Sequence, residues 1–160
     1  MEIRQGTLDD LKLIAAAEAV SFPAAEAASE KSFEKRLTVY PEGFWLAFEQ
    51  GELVGFVNST ESGERDLSDE MFESMSFYKK DGEWEVILSV VTLPQFRGKG
   101  YGTRLLEKVI SDTKARGKTG LVLTCKEHLL GFYGNVGFVS EGVSSSTHGG
   151  AQWYQMRLTF

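Results

Sequence analysis

A strand and a helix meet in the sequence VVTLPQFRGKGYGT, residues 90–103. Residues 84–93 are nearly all apolar or β-branched, which is typical of a strand covered on both faces. Glycines at alternate positions over 98–102 then lead into a helix. The first N–H groups of a helix have no internal partner and lie at the positive end of its dipole, and glycines let an anion approach them closely. With Arg97 and Lys99 adding positive charge, the loop is predicted to bind a pyrophosphate.

The glycine spacing separates this loop from two other phosphate-binding motifs. A P-loop has four residues between its first glycine and Gly-Lys-Ser/Thr, and no such run occurs in the chain. A Rossmann fingerprint reads G-x-G-x-x-G after the first strand of a βαβ unit. Here the spacing is G-x-G-x-G, and the loop lies past the middle of the chain. A glycine-rich turn without a ligand is the plain alternative.

Hydrophobic periodicity outside the loop predicts a mixed sheet with helices on its faces. Residues 59–81 are read as a polar stretch with a short helix over 67–72. The other predicted helices begin after Thr7 and cover 30–39, 100–116 and 127–135. The predicted strands are 3–5, 44–48, 53–58, 84–93, 121–124, 138–139 and 153–158. This order predicts an α/β (α+β) domain with a mixed central sheet of six to seven strands flanked by helices.

Length and composition limit the classes of function. A chain of 160 residues with 42 % hydrophobic content suits one domain over 1–160. The net charge of −6 argues against nucleic acid as a partner. One cysteine and two histidines argue against a disulfide framework and against a Cys- or His-rich metal site. No apolar run has the length of a membrane span and no signal-peptide layout is present, so a cytoplasmic protein without a membrane partner is expected.

Two segments resemble one enzyme family. Residues 97–102, Arg-Gly-Lys-Gly-Tyr-Gly, resemble the R/Q-x-x-G-x-G/A signature of the Gcn5-related N-acetyltransferase (GNAT) superfamily. Residues 132–138, Phe-Tyr-Gly-Asn-Val-Gly-Phe, resemble its F-Y-x-x-x-G-F segment, in the family's order and spacing. The resemblance follows the element order of the whole chain and is clearest over 84–140. Residues 51–56 and 123–127 are most similar to the arylalkylamine (serotonin-type) N-acetyltransferases.

The resemblance implies acetyl-CoA as the cosubstrate and no metal. The pyrophosphate would lie on the glycine loop, and the pantetheine arm would pair like an extra strand with residues 90–92. That pairing needs a splay between this strand and the strand over 121–124. The implied cofactor-binding residues are Val90, Val91, Thr92, Arg97, Gly98, Lys99, Gly100, Tyr101, Gly102 and Thr103.

The resemblance also suggests the acid but leaves the base open. Tyr133 occupies the F-Y position and would protonate the leaving thiolate as general acid, with simple packing as the alternative. Arylalkylamine acetyltransferases carry two histidines on the strand before the glycine loop, where this chain has Val86 and Leu88. Glu85 and His128 are the candidate bases. Proton loss to water, without one essential base, is the favoured hypothesis.

The amine-binding side is predicted from position in the family. Phe22, Pro23 and Trp84 are expected to contact the substrate, and the acidic stretch 59–78 either attracts a cation or is a solvated loop. Lys126 stands where many family members have an Asn against the pantetheine arm. The predicted activity is acetyl transfer to a small primary amine, such as an arylalkylamine, by direct attack on the thioester. A peptide or protein N-acetyltransferase and a non-catalytic acyl-CoA-binding module are the alternatives, as a monomer or a homodimer.

Overall fold

Seven strands form one mixed sheet in the computed structural model, which describes residues 1–160. Their order in the sheet is β1-β2-β3-β4-β5-β7-β6, and only β4 and β5 run parallel to each other. The strands are β1 Glu2–Gln5, β2 Phe44–Glu49, β3 Glu52–Ser62, β4 Trp84–Thr92, β5 Gly120–Cys125, β6 Val139–Val143 and β7 Tyr154–Thr159. The predicted α/β domain with a mixed sheet is confirmed.

Five helices flank the sheet, and local sequence explains where they begin and end. They are α1 Leu11–Ser21, α2 Glu30–Val39, α3 Glu70–Glu73, α4 Tyr101–Ala115 and α5 Leu130–Gly134. A capping box between Thr7 and Asp10 forms the turn that leads into α1. The α1 helix ends before Phe22-Pro23, because the residue before a proline disfavours the helical conformation. The Ser29 side chain caps α2 by accepting a hydrogen bond from Ser32 N.

Strand alternation divides the core between the two faces of the sheet. Phe44 and Leu46 of β2 pack with α1 and α2, whereas Trp45 and Ala47 pack with α4. Successive strand side chains point to opposite faces, so the helices cover the sheet from both sides. Both faces of β2 are therefore buried, which explains its continuous apolar run.

The structure differs from the sequence prediction at the start of the polar stretch. Ser59–Ser62 continue β3 and pair with Trp84–Ile87 of β4. Their side chains are buried, and two of them join a polar network in which Ser59 Oγ donates to Glu85 Oε2 and Lys118 pairs with Glu61. Polar residues in a strand normally indicate that their side of the sheet faces solvent. Here the hydrogen bonds and the ion pair of the network allow polar side chains to be buried instead. The short helix α3 is also later and shorter than the predicted 67–72.

Candidate active site

The two parallel strands separate partway along their length. Pairing between β4 and β5 covers Trp84–Val86 and ends there, although β4 continues to Thr92 and β5 to Cys125. A bulge beside Leu88 bends β4 at this point, since Ser89 pairs with Asn58 while Ile87 pairs with Ser59. The edge of β4 that faces β5 is therefore free beyond Val86. This is the splayed pair that the sequence predicted.

A cavity of about 930 Å³ opens in the splay. Its floor is the free part of β4, including Val90, Val91 and Thr92, and its far wall includes Cys125 and Tyr133. This volume lies within the range of ligand-binding cavities. Phe22 and Pro23, the residues expected on the amine-binding side, also line this cavity.

The glycine loop lies at the rim of this cavity. Gly98 and Gly100 have φ of +76° and +82°, and a Cβ added at either position would meet nothing within 4 Å. Both glycines therefore meet a conformational need, and the space above them is open to a ligand. Arg97 holds the loop to the strand through a 2.9 Å hydrogen bond from Nε to Thr92 O, and it also lines the cavity.

Helix α4 begins directly after Gly100, so its first N–H groups have no partner inside the helix and follow immediately on the open glycine loop. Gly102 serves packing instead, because a Cβ there would lie 3.2 Å from the Phe132 ring. Lys99 is exposed, while Tyr101 donates to Glu49 and Thr103 is half-buried on the first turn. The backbone from Gly98 to Thr103 has the geometry to hold a pyrophosphate, and this open cradle fits the CoA that the sequence implies.

Tyr133 reaches the cavity from α5. Its ring packs edge-to-face against Phe132 and Phe138, with centroids 5.0 and 6.0 Å away. Only 6 % of the residue is exposed, and burial raises the pKa of its hydroxyl well above the ordinary value. The hydroxyl has no hydrogen-bond partner in the protein. A protonated donor therefore faces the cavity without an internal acceptor.

Cys125 lies beside Tyr133 on the cavity wall. Burial raises the pKa of its thiol to about 11. A thiol in this environment is not ionised at neutral pH and makes a poor nucleophile. This environment argues against a covalent acyl-enzyme at Cys125 and agrees with direct attack on the thioester.

Glu18 is a cavity residue that the sequence analysis missed. It is 2 % exposed, and its Oε2 accepts hydrogen bonds from Ala28 N at 2.9 Å and Ser89 Oγ at 3.3 Å. Its Oε1 is buried without a partner, and the residue lines the cavity. Burial raises the pKa of the carboxyl, against the opposing effect of Arg36 and His148. A carboxylate with a free oxygen and raised proton affinity is suited to accept a proton.

The sequence contained a signal for this residue. Glu18 follows Ile14 by four positions and shares the buried face of α1 with Ala17. Residues at i and i+4 lie on the same side of a helix, so a glutamate at this spacing interrupts the apolar stripe. An acid on an apolar face needs either a partner or a function.

Three segments of the chain contribute a further wall of the cavity. This three-segment wall comprises residues 22–29, residues 69–73, which include helix α3, and residues 146–153. The Phe72 ring stacks on His148 at 4.5 Å, and His148 Nε2 lies 3.0 Å from Glu26 O. The Asp69 carboxylate accepts hydrogen bonds from Ser146 Oγ and Thr147 N. The wall thus joins parts of the chain that are far apart in sequence.

Lys126 ties this wall to β5. Its Nζ lies 2.9 Å from Glu26 Oε2 and 5.7 Å from the Trp153 ring centroid. Trp153 in turn donates from Nε1 to His148 O at 2.8 Å. The position that departs from the family pattern is therefore occupied by a residue that fastens the wall.

Two predicted site residues lie outside the cavity. Glu85 is fully buried beneath the sheet, where it accepts hydrogen bonds from Tyr40 and Ser59. Trp84 is at the paired end of β4, with the Arg157 guanidinium 4.7 Å above its ring. Both precede the point where β4 separates from β5, so neither lines the cavity. Glu85 is therefore a wrong candidate for a base in the cavity, and Trp84 a wrong candidate for substrate contact.

His128, the other candidate base, lines the cavity but is exposed at its rim.

Two further features of the structure bear on the class of site. No group of three or more His, Cys, Asp or Glu side chains is arranged to hold a metal ion. None of the helices combines the length and apolar character that crossing a membrane requires.

Comparison with known proteins identifies the class to which this fold and site belong. Residues 11–138 match the acetyltransferase (GNAT) family. The chain belongs to this family. It is similar to glucosamine 6-phosphate N-acetyltransferase 1 of Oryza sativa subsp. japonica, with 30 % identity over 67 residues. That match covers 42 % of this chain and 41 % of the relative, so the chain spans about two fifths of the length of the curated relative.

Solved structures share the fold over nearly the whole chain. The GphF GNAT-like decarboxylase in complex with isobutyryl-CoA superposes with a TM-score of 0.84 and 21 % identity, covering 99 % of both chains. Arabidopsis thaliana Naa50, in complex with the bisubstrate analogue CoA-Ac-MVNAL, gives a TM-score of 0.77 and 16 % identity. That match covers 99 % of this chain and 98 % of Naa50. At these identities the likeness establishes the fold and not the substrate.

Proposed function

We propose that this chain is an acetyl-CoA-dependent N-acetyltransferase that acetylates a small primary amine inside the cavity. One observation carries the proposal. The partnerless oxygen of Glu18 and the partnerless hydroxyl of Tyr133 line the same cavity, beside the free edge of β4. Glu18 can accept the proton that the amine must lose, and Tyr133 can donate a hydrogen bond to the leaving thiolate; acetyl transfer to an amine benefits from both.

Acetyl-CoA would bind along the free edge and the glycine loop. Its pyrophosphate takes the open backbone beyond Gly98 and Gly100, and its pantetheine arm pairs with Val90–Thr92 as an added strand. Unpaired N–H groups on that edge are available to stabilise negative charge on the thioester oxygen. The acetyl group then lies near the splay, within the cavity that Tyr133 lines.

Glu18 takes the proton that the ammonium must lose before it reacts. The free amine attacks the thioester carbon, a C–N bond forms, and the C–S bond breaks. The ordinary pKa of a tyrosine hydroxyl, about 10, already exceeds that of a thiol, about 8.5, and burial raises the pKa of Tyr133 further. Full transfer of its proton to the thiolate is therefore uphill. Tyr133 therefore stabilises the leaving sulfur mainly by donating a hydrogen bond, and the proton that completes the thiol comes from the amine nitrogen.

The three-segment wall favours a small acceptor over a peptide. Asp69, Phe72 and His148 connect segments that would have to separate for an extended chain to enter from that side. The rings of Phe22, Phe72 and Trp153 line the cavity and are compatible with an arylalkylamine. Peptide acetylation is the alternative, because the fold is shared with Naa50, which was solved with the bisubstrate analogue CoA-Ac-MVNAL, and a shared fold does not decide between the two acceptors.

A thiol-release assay tests the proposal. Purified protein is mixed with acetyl-CoA and with tryptamine, phenylethylamine, spermidine or a pentapeptide in turn, and mass spectrometry identifies the product. We expect one molecule of N-acetylated amine for each thiol released with at least one small amine. Faster acetylation of the peptide than of every small amine would favour the alternative acceptor. Acetyl-CoA binding without any amide product would identify a non-catalytic module.

A further inference from the structure

Arg36 is a buried cation without an ion-pair partner in the cavity. It is 3 % exposed and lines the cavity from α2. Its Nη1 donates to Asn58 Oδ1 at 3.0 Å and its Nη2 to Phe72 O at 2.9 Å, and both acceptors are uncharged. A guanidinium has five N–H groups, so most of its donor capacity is unused in the protein.

Other cations of the cavity differ from Arg36 in this respect. Lys126 pairs with Glu26, and Arg97 is exposed at the glycine loop. Burying a charge is costly unless a counter-charge and hydrogen bonds compensate it. The cost is visible in the pKa of Arg36, which burial lowers to about 10 and which the charge of Glu18 raises in part. Arg36 therefore lacks a close negative partner.

Glu18 and Arg36 belong to one polar floor but do not form an ion pair within 4.0 Å. Glu18 accepts from Ser89, Ser89 lies opposite Asn58 in the sheet, and Asn58 accepts from Arg36. The cavity lining thus includes a carboxylate and a guanidinium that are linked through Ser89 and Asn58 without pairing with each other. A ligand with a positive and a negative group complements this arrangement better than a plain amine.

We propose that Arg36 forms an anion subsite and that the acceptor is an amine that also carries a carboxylate or a phosphate. The anion belongs to the acceptor rather than to the acyl group, because Arg36 is bonded to Phe72 of the three-segment wall, away from the glycine loop. The ammonium then lies toward Glu18 and the anion toward Arg36. Guanidinium groups bind such anions with two parallel hydrogen bonds. The turnover test of this inference rests on the proposed function, whereas the binding test does not require turnover.

Matched pairs of acceptors test the charge preference directly. The pairs are phenylethylamine and phenylalanine, butylamine and 4-aminobutyrate, and ethanolamine and phosphoethanolamine, each with acetyl-CoA. We expect at least one anionic member to exceed its neutral partner tenfold or more in kcat/KM. Equal or better turnover of the neutral member in every pair would overturn the proposal. Turnover of no amine at all would instead count against the proposed function.

Two substitutions separate recognition from folding. Arg36→Gln should bring the preferred pair's kcat/KM ratio close to one, and Arg36→Lys should keep part of the preference. Arg116→Gln is the control. Arg116 also donates to two uncharged oxygens, the Tyr40 hydroxyl and the main-chain carbonyl of Glu42, but it lies outside this cavity. It should leave the ratio unchanged. A parallel loss for both members of the pair in Arg36→Gln would mean a structural role and would contradict the proposal.

A binding experiment on the unsubstituted protein needs neither turnover nor a folded variant. The anionic amine and the neutral amine of each pair are titrated by calorimetry into the protein saturated with CoA. We expect the anionic amine to bind at least tenfold more tightly. Equal affinities would overturn the proposal. Malonyl-CoA is tested in place of acetyl-CoA, because its acyl group also carries a carboxylate. A preference for malonyl-CoA that is lost in Arg36→Gln, without any preference among the acceptors, would place the anion on the acyl group and contradict the assignment.

Discussion

Ser89 of the free strand donates a hydrogen bond to Glu18 of α1, with 3.3 Å between Oγ and Oε2. The same strand segment supplies the edge on which the pantetheine arm is proposed to pair. One oxygen of the carboxylate is thus held by the strand and by Ala28 N, while the other remains without a partner in the cavity. The proposed proton acceptor is therefore fixed relative to the strand on which the thioester is proposed to bind.

The glycine loop gives the first prediction. Gly100→Val places a side chain over the free N–H groups of α4 and should weaken acetyl-CoA binding at least tenfold, about 1.4 kcal/mol. Gly117→Val is the control, because Gly117 has a similar φ of +78° and equally open surroundings at the other end of α4. Both variants carry the same backbone strain. Calorimetry should find weaker binding only for Gly100→Val, and equal affinities would remove the loop from the binding site.

Tyr133 gives the second prediction. Tyr133→Phe removes the hydroxyl and leaves the ring packing with Phe132 and Phe138. Steady-state kinetics should show kcat lower by about 10²-fold, as expected for the loss of one hydrogen bond to charge that develops in the transition state, with little change in KM for acetyl-CoA. Tyr78→Phe also removes a hydroxyl, one that donates to Glu61 outside the cavity, and should keep kcat. A loss of only twofold in Tyr133→Phe would assign that tyrosine to packing.

The third prediction concerns stability rather than catalysis. Burial raises the pKa of Glu85 from 4.5 to about 7, although Ser59 and Tyr40 donate hydrogen bonds to it. The folded state therefore binds a proton more tightly than the unfolded state. The resulting stabilisation is complete below about pH 4.5 and is lost as the pH rises through about 7. Urea unfolding should show Glu85→Gln gaining about 3 kcal/mol relative to the unsubstituted protein between pH 4.5 and pH 8.

The exposed neighbour Glu83 provides the matched control for this measurement. Glu83→Gln should differ from the unsubstituted protein by the same small amount at every pH. A pH-independent difference for Glu85→Gln as well would show that Glu85 titrates alike in the folded and unfolded states. Because Glu85 lies outside the cavity, we also expect Glu85→Gln to keep the acetyltransferase activity.

Local patterns were sufficient to predict the strand and the glycine loop, because a β-branched run and closely spaced glycines each carry their own signal. Tyr133 was singled out by the family resemblance. The splay was expected from family resemblance, and the pairing of β4 with β5 confirms it. Their functional roles remain predictions.

Long-range packing explains what the sequence could not show. Glu85 was a candidate base because it lies one residue from a family catalytic position, but its side chain is directed to Tyr40, 45 positions earlier in the chain. Glu18 was missed because it is brought to the cavity only when α1 packs on β4, which lies 71 positions away at Ser89. The three-segment wall likewise joins residues that have no common local motif. Such contacts are set by tertiary structure rather than by local pattern.

The pH dependence of kcat/KM for the unsubstituted protein and Glu18→Gln tests the central claim most directly. The best small amine of the assay is used with saturating acetyl-CoA. Below its raised pKa, Glu18 is protonated and cannot accept a proton, so kcat/KM of the unsubstituted protein should fall as the pH drops through that pKa. Above that pKa, kcat/KM should stay level until the amine itself deprotonates. Arg36 and His148 lower the pKa of Glu18, so His148→Gln should move this acidic limb to higher pH without abolishing it.

Glu18→Gln cannot accept the proton, so only the free amine reacts. Its kcat/KM should be lower by about 10²-fold at neutral pH and should rise steadily with pH up to the pKa of the amine. If Glu18→Gln keeps the acidic limb of the unsubstituted protein and stays within twofold of it at every pH, the amine does not lose its proton to Glu18, and the account of this cavity is contradicted.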